Sequence, residues 1–428
     1  MQRRPDTCAV AKRAERLAQE CLRGRERCVA YTMIQSKDQT PLSKPLGMEA
    51  LLLLAAVALG ENWTINAANY QDVQPWVAAS FFLGAVNAYL VIRSLPIAGW
   101  ATLFYVVGVG FCDQIVREPF GASDVVDATR EAVTLVLSGN NPYTHLFLST
   151  KPPGSPFPYL PGELLFYGVP YALFHSIDHV DKWAGIGTIF LIAALAPVVG
   201  VARAALCTAL YATLGGFVAS THLEGANDGS LAFLLIASAV SLAWSEFAKL
   251  RYRRKPLTQA CFYASASFLA WALLFKAFSW PFLPFIAVYL FDKDPLQARR
   301  YLFVVGTLCI VAAAPFLLAS PGGFISNIYR AFVFHDFYWG INIWTGLRSV
   351  GLQINPHAAV IPILGAAAVL GGFFALVKRH ISLGEALMRG VGVIVIGLSL
   401  ARWSTPSYFT FAYTVFVAAV ALIRTSEA

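Results

Sequence analysis

The sequence predicts an all-α polytopic membrane protein, and three observations carry that prediction. Hydrophobic residues make up 57% of its 428 residues, charged residues only 13%, and the mean hydropathy is +0.60, whereas soluble domains carry roughly a quarter charged residues. Charge-poor stretches of about 17 to 22 residues recur from Leu46 to Ile423, each long enough to cross about 30 Å of hydrocarbon as a helix. The alternating pattern of barrel strands is missing, so the spanning elements are helices.

The chain opens on a different kind of segment. Residues 1–45 hold ten Lys or Arg against five Asp or Glu, so this segment accounts for about five of the net +8. A basic tail ahead of a first span reads as cytoplasmic, which makes the charge an orientation signal and not a nucleic-acid surface. It is expected to be poorly ordered. It is too long and too charged for an ordinary signal peptide, and Met33 and Met48 are alternative starts. The remainder, 46–428, reads as one transmembrane domain of about 12–13 helices.

Counted from an inside N-terminus, the expected spans are 46–60, 75–93, 97–112, 184–202, 204–220, 230–246, 258–275, 277–291, 301–319, 358–377, 387–402 and 407–423. This count returns the C-terminus inside. It also puts the basic turns inside: Lys249 to Lys255, Lys293 to Arg300, and Lys378 with Arg379. Tyr159 to Phe174 breaks the pattern. It is apolar enough to cross, but crossing would invert every later loop. Its Pro161, Gly162, Gly168 and Pro170 predict a re-entrant or broken helix, while a different number of crossings within 184–220 is the alternative. Two outside loops stand out by length, 113–158 and 321–356. Cys112, Cys207, Cys261 and Cys309 sit singly in apolar stretches, and no metal or disulfide spacing is seen.

Polar residues concentrate in four places. In the first long loop Ser123 can cap a helix that Gly139 ends, with Val125, Ala132 and Val136 as its apolar stripe. Asp124, Asp127 and Glu131 fall on one face of that helix; for Asp127 an equal reading is an acid that merely suits the helix dipole. His222, Glu224, Asn227 and Asp228 stand at a helix entrance, where ionisable groups are costly unless they serve a cavity; a solvated turn capped by Asp228 is the plain alternative. Lys276 begins a span near the outer interface and reads either as a snorkelling lysine or as an ammonium beside a lipid phosphate. In the second long loop Arg330, His335, Asp336 and Arg348 alternate with aromatic residues.

The order of these elements resembles the GT-C superfamily of polyprenyl-phosphate-sugar-dependent glycosyltransferases, especially the GT87-like and GPI-anchor-building mannosyltransferases. The resemblance rests on Asp124, then Gly139, Asn141-Pro142-Tyr143, and Phe157-Pro158-Tyr159-Leu160-Pro161 entering an apolar helix. Asn227-Asp228 and Lys276 to Pro281 resemble later family elements. The match covers about residues 97 to 290. Three features depart from the family pattern: Asp127 where a Tyr is expected, Leu160 where a second Pro is expected, and two spans ahead of residue 97.

The resemblance implies a GT-C-like helical bundle with juxtamembrane helices in the first outside loop, in the plasma membrane with its active site on the extracytoplasmic face. It implies transfer of a sugar, mannose by that group, from a polyprenyl-phosphate donor to a lipid or glycan acceptor, with inversion. Asp124 would be the general base, with Asp127 and Asp113 in reserve. Asp228, Asn227 and Glu224 would position sugar or acceptor. Lys276 would stabilise the leaving phosphate, aided by Arg330, His335 or Lys151, and Tyr143 and Tyr159 would line the cavity mouth. The implied partners are the bilayer, the lipid-linked donor and the acceptor, with no nucleic acid; no cofactor is required and a divalent metal is left open. The alternative functions are a secondary transporter or a lipid-linked glycan flippase.

Overall fold

The computed structural model describes residues 47–67, 74–116, 123–150, 153–213, 226–252, 255–333, 339–352, 371–372, 380–401 and 403–423. The basic tail 1–45, and all but Gly371 and Gly372 of the expected span 358–377, lie outside this set.

The described chain is helical throughout, joined by short turns. α1 (Met48–Ala67), α2 (Gln74–Ile92) and α3 (Ala98–Val116) match the first three expected spans. α4 (Asp124–Leu137) is the juxtamembrane helix of the first long loop, followed by a 3-10 turn at Pro142–Thr144 and a two-residue hairpin, β1 (Leu146–Phe147) with β2 (Ser155–Pro156). α5 (Pro161–Phe174) comes next, then α6 (Val180–Ala193), the short α7 (Ala196–Val199) and α8 (Val201–Thr213). Pro197 has no N–H to give, and its ring cannot be accommodated by a straight helix, so the apolar run 180–199 is broken between α6 and α7. α9 (Asp228–Arg251) and α10 (Lys255–Phe275) follow as a helical hairpin, then α11 (Phe282–Lys293), α12 (Pro295–Ala319) and α13 (Pro321–Val333). β3 (Trp339–Gly340), α14 (Ile343–Ser349), α15 (Leu383–Leu400), β4 (Trp403–Ser404) and α16 (Pro406–Leu422) complete the order, with β3 and β4 pairing in parallel.

Five of these stretches are long and apolar enough to cross a membrane: Val180–Val199, Asp228–Arg251, Lys255–Phe275, Pro295–Ala319 and Leu383–Leu400. α5 is different. Fourteen residues of helix rise only about 21 Å; the helix runs without a break from Pro161 to Phe174 despite Pro170, so the expected interruption is not seen.

The core has two parts. α1, α2, α3 and α8 close a smaller cluster around Ala56, Val57, Val106 and Ala205. The larger one runs from α4 through α16 and includes Phe275, Phe282, Phe285 and Phe411. Four cysteines, Cys112, Cys207, Cys261 and Cys309, are free thiols.

The hairpin of α9 and α10 fixes which residues share an end of the bundle. Asp228 opens α9 and Phe275 closes α10, so both lie at one end, while Lys249, Arg251 and Lys255 lie at the other. The second end is tied together by Lys293 with Glu246, His380 with Asp292 at 2.8 Å, and Arg203 Nη1 donating to the Ile423 carbonyl at 2.7 Å. The basic turns therefore gather at one end of the helices and the polar motifs at the other.

Candidate active site

The site grows from the loop that joins β2 to α5. Leu160 N–H donates to the Phe275 carbonyl at 3.4 Å, and Trp271 Nε1 donates to the Gly162 carbonyl at 2.8 Å. These bonds lay the first turn of α5 against the last turn of α10. The approach is so close that a Cβ on Gly162 would stand 2.6 Å from the Leu274 carbonyl carbon. Only glycine fits there.

That contact brings Lys276 beneath the same loop. The lysine does not snorkel: its side chain is 12% exposed. Its Nζ donates to Asp228 Oδ1 at 2.6 Å and Asn227 Oδ1 at 3.0 Å. It lies 4.7 Å from the centroid of the Tyr408 ring, 5.0 Å from Phe278 and 5.6 Å from Tyr159. Such aromatic faces attract a cation through their quadrupole. Burial disfavours the ammonium, but Asp228 offsets that and the group is held above its ordinary value. An ammonium has three N–H groups, and two of them are used here. Asp228, expected as a capping residue or a sugar ligand, is instead 1% exposed and ion-paired.

Behind Lys276 lies a buried polar cluster that the sequence reading passed over. Glu163 on α5 is fully buried; its Oε1 accepts from Thr129 Oγ1 at 2.7 Å and its Oε2 from Asn227 Nδ2 at 2.7 Å. Asp181 on α6, also buried, accepts from Tyr167 at 2.6 Å and from Ser230. Tyr408, from the start of α16, was missed as well. Glu163 did carry a signal, since it is a lone acid in an apolar stretch and that is costly without a purpose; Asp181, beside Asp178, His179 and Lys182, did not.

Asp124 opens α4. Ser123 stands at the N-cap in extended geometry but makes no capping bond with its side chain, and Gly139 adopts the left-handed φ of +81° just past the helix end. The buried face of α4 is Val126, Thr129, Ala132 and Val133, so the expected stripe of Val125, Ala132 and Val136 is rotated. Asp124 is half-buried. It is near enough to Tyr159 to act on it: burial pushes the Tyr159 hydroxyl well above its ordinary value, and the fields of Glu163, Tyr408, Asp228 and Asp124 push the same way. Tyr159 thus feels the field of Asp124, and its ring lies 5.6 Å from Lys276 Nζ.

Asp127 and Glu131, further along α4, pair locally. Asp127 binds Arg130 at 2.9 Å, and Arg130 reaches on to Asp178, a use that sets Asp127 apart from the cluster. Glu131 accepts from Ser149 at 3.0 Å and lies 2.9 Å from His145. Asp113 is buried at the far end of α3. Tyr143 forms a packed joint and not a cavity mouth. It is 2% exposed, its hydroxyl donates to the Tyr159 carbonyl at 2.9 Å, and its carbonyl accepts from Asn327 at 3.0 Å. Glu224, His335 and Lys151 lie outside the described residues, and Arg330 is on α13 with its side chain outside them.

An apolar groove of about 510 Å³ lies between the last turn of α10, α12 and α13, with Leu160, Leu274, Trp280, Ile310, Leu317 and Phe324 among its lining residues. Leu160 and Leu274 neighbour Tyr159 and Lys276 in sequence, but the groove wall is apolar and neither Tyr159 nor Lys276 lines it. Among the described residues no three His, Cys, Asp or Glu side chains are grouped to hold a metal ion.

No protein-family model matches the sequence, and no curated protein matches it. Two solved structures are similar in fold. Both are crystal structures of ArnT from Cupriavidus metallidurans, one bound to undecaprenyl phosphate (18% identity, TM-score 0.49) and one in the apo state (20% identity, TM-score 0.46). Each likeness covers 77% of this chain and about three-fifths of the ArnT chain, 61% and 60%. At that likeness neither assigns an activity to this protein.

Proposed function

We propose that the protein is a membrane glycosyltransferase that moves a sugar, mannose by the motif resemblance, from a polyprenyl-phosphate donor to a lipid or glycan acceptor on the extracytoplasmic face. The observation that carries this reading is a buried ammonium, bound to Asp228 and Asn227 through two of its three N–H groups and placed just after α10, whose last turn lines an apolar groove through Leu273 and Leu274. An isoprenoid tail suits the groove, and a phosphate suits the ammonium. A fixed cation there stabilises the departing phosphate more than the intact donor, because negative charge accumulates on that oxygen only as the bond breaks.

Asp124 is the base in this scheme. The acceptor hydroxyl oxygen bonds to the anomeric carbon, the carbon–oxygen bond to the phosphate breaks with its electron pair, and the hydroxyl proton passes to the Asp124 carboxylate. Direct displacement inverts the anomeric centre. In this scheme the base and the cation serve opposite ends of one reacting bond.

The test uses purified full-length protein in lipid nanodiscs with polyprenyl-phosphate mannose and a glycolipid acceptor. Asp124→Asn is expected to bind donor normally and to lose about 10²- to 10⁴-fold in turnover, the usual contribution of a general base. Full activity in that variant moves the base elsewhere. Substrate flux through wild-type proteoliposomes with no sugar transfer would sink the transferase reading in favour of a transporter.

A further inference from the structure

A single peptide unit joins a wall of the groove to a neighbour of Lys276. The plane between Tyr159 and Leu160 is held at both of its polar atoms. Its carbonyl accepts from the Tyr143 hydroxyl at 2.9 Å, and its N–H donates at 3.4 Å to the carbonyl of Phe275, the residue before Lys276. Leu160 is in extended geometry, so the two side chains leave the backbone on opposite sides. Leu160 lines the groove, and the Tyr159 ring lies 5.6 Å from Lys276 Nζ. A peptide is stiff about its C–N bond. Any tilt of this one therefore moves a groove residue and a neighbour of the lysine together.

Tyr143 is anchored on several sides. Its ring meets Phe157 at 5.8 Å, Phe316 at 5.4 Å and Phe324 at 4.7 Å, all edge-on, and its carbonyl accepts from Asn327 Nδ2 of α13 at 3.0 Å. Phe324 is itself a groove residue. A phenylalanine at position 143 would keep every one of these contacts, so packing alone does not call for the hydroxyl. What the hydroxyl adds is the bond to the Tyr159 carbonyl.

We propose that Tyr143 is a positioning residue, whose hydroxyl keeps the Tyr159–Leu160 peptide in the one placement that suits both an apolar tail in the groove and a phosphate at Lys276. This rests on the reading of the groove and Lys276 as a lipid-phosphate site. In the intact protein the placement is already set, so tail and phosphate bind without assisting each other. Without the hydroxyl only a fraction of molecules hold the placement, and the affinity for each ligand falls by that fraction. Whichever ligand binds first then restores the placement for the second.

The experiment uses full-length protein in lipid nanodiscs and two probes, farnesol for the groove and inorganic phosphate for Lys276. Fluorine NMR of a fluorinated tyrosine placed at position 159 follows the peptide, and a phosphorus NMR titration gives the phosphate affinity. In Tyr143→Phe the fluorine line is expected to shift or broaden, and to return to its wild-type form when farnesol is added. Phosphate affinity is expected to fall about 3- to 10-fold, the net worth of one neutral hydrogen bond. Farnesol is expected to recover that factor in Tyr143→Phe and to leave the wild-type affinity unchanged. Adding Leu160→Ala to Tyr143→Phe removes the side chain through which the groove acts on the peptide, and the recovery is expected to vanish. A wild-type fluorine line in Tyr143→Phe, an altered line that farnesol does not restore, or a loss of phosphate affinity that persists with farnesol would each overturn the proposal. A wild-type protein that binds no phosphate would instead strike the functional reading, and the fluorine lines alone would then decide the role of Tyr143.

Discussion

Two lysine–carboxylate pairs sit toward opposite ends of α9, and they differ only in what surrounds them. Asp228 opens the helix and binds Lys276; Glu246 lies eighteen residues on, about 27 Å along the axis, and binds Lys293. Each lysine also lies against a tyrosine ring, Tyr408 at 4.7 Å and Tyr289 at 4.4 Å. The first pair is 12% and 2% exposed, the second 39% and 23%. Near-identical chemistry therefore stands in a dry setting at one end and a wet one at the other. Water screens the second pair, which contributes little beyond holding the basic end together. The dry pair has lost its hydration, and a cost of that kind is retained where charge is needed for chemistry.

The comparison breaks most readily at Lys276. Replacing it with Ala leaves Asp228 buried and unpaired, with an expected loss of about 3–5 kcal/mol, and under the proposed function it is expected to abolish binding of polyprenyl phosphate. Thermal unfolding in nanodiscs and a lipid-binding assay read the two effects separately. Donor affinity equal to wild type in Lys276→Ala would remove the lysine from the site. The matching change at the wet end, Lys293→Ala, is expected to cost at most about 1 kcal/mol and to leave transfer unaltered. A loss there as large as at Lys276 would show that the environment does not distinguish the pairs.

The smallest effect concerns pH. The Ser176 hydroxyl, with help from Arg130, holds the Asp178 carboxyl below the usual aspartate range. A depressed carboxyl contributes stability above its unfolded pKa of about 4 and loses it as the pH falls through the lower folded value. Asp178 is about half exposed, so the contribution is small. Arg130→Ala should flatten the acid limb of the stability curve by a few tenths of a kcal/mol and release Asp127 as well. An unchanged acid limb would remove the Arg130 bridge from the account of how α4 is held.

The sequence made the membrane map legible, because hydropathy and charge are properties of a continuous segment. Each expected span among the described residues has a helix, and the described basic residues Lys249, Arg251, Lys255 and Lys293 fall at one end, while Lys378 and Arg379 lie outside the described residues. Tyr159 to Phe174, expected as a re-entrant or broken helix, instead carries one continuous helix, Pro161–Phe174, with Pro170 inside it. Asp124, Asn227, Asp228 and Lys276 were readable as polar residues at helix entrances. Their partners were not. Thr129 is 34 residues from Glu163, Asn227 is 64 from it, and Lys276 is 48 from Asp228. Tyr143 shows the opposite failure, where a motif residue expected at a cavity mouth is packed inside a joint. A lone acid in an apolar stretch announces a cost in the sequence, but only the packing of α5 between α4, α9 and α10 decides which donors meet it, because hydrogen bonds reach about 3 Å and chain distance says nothing at that scale.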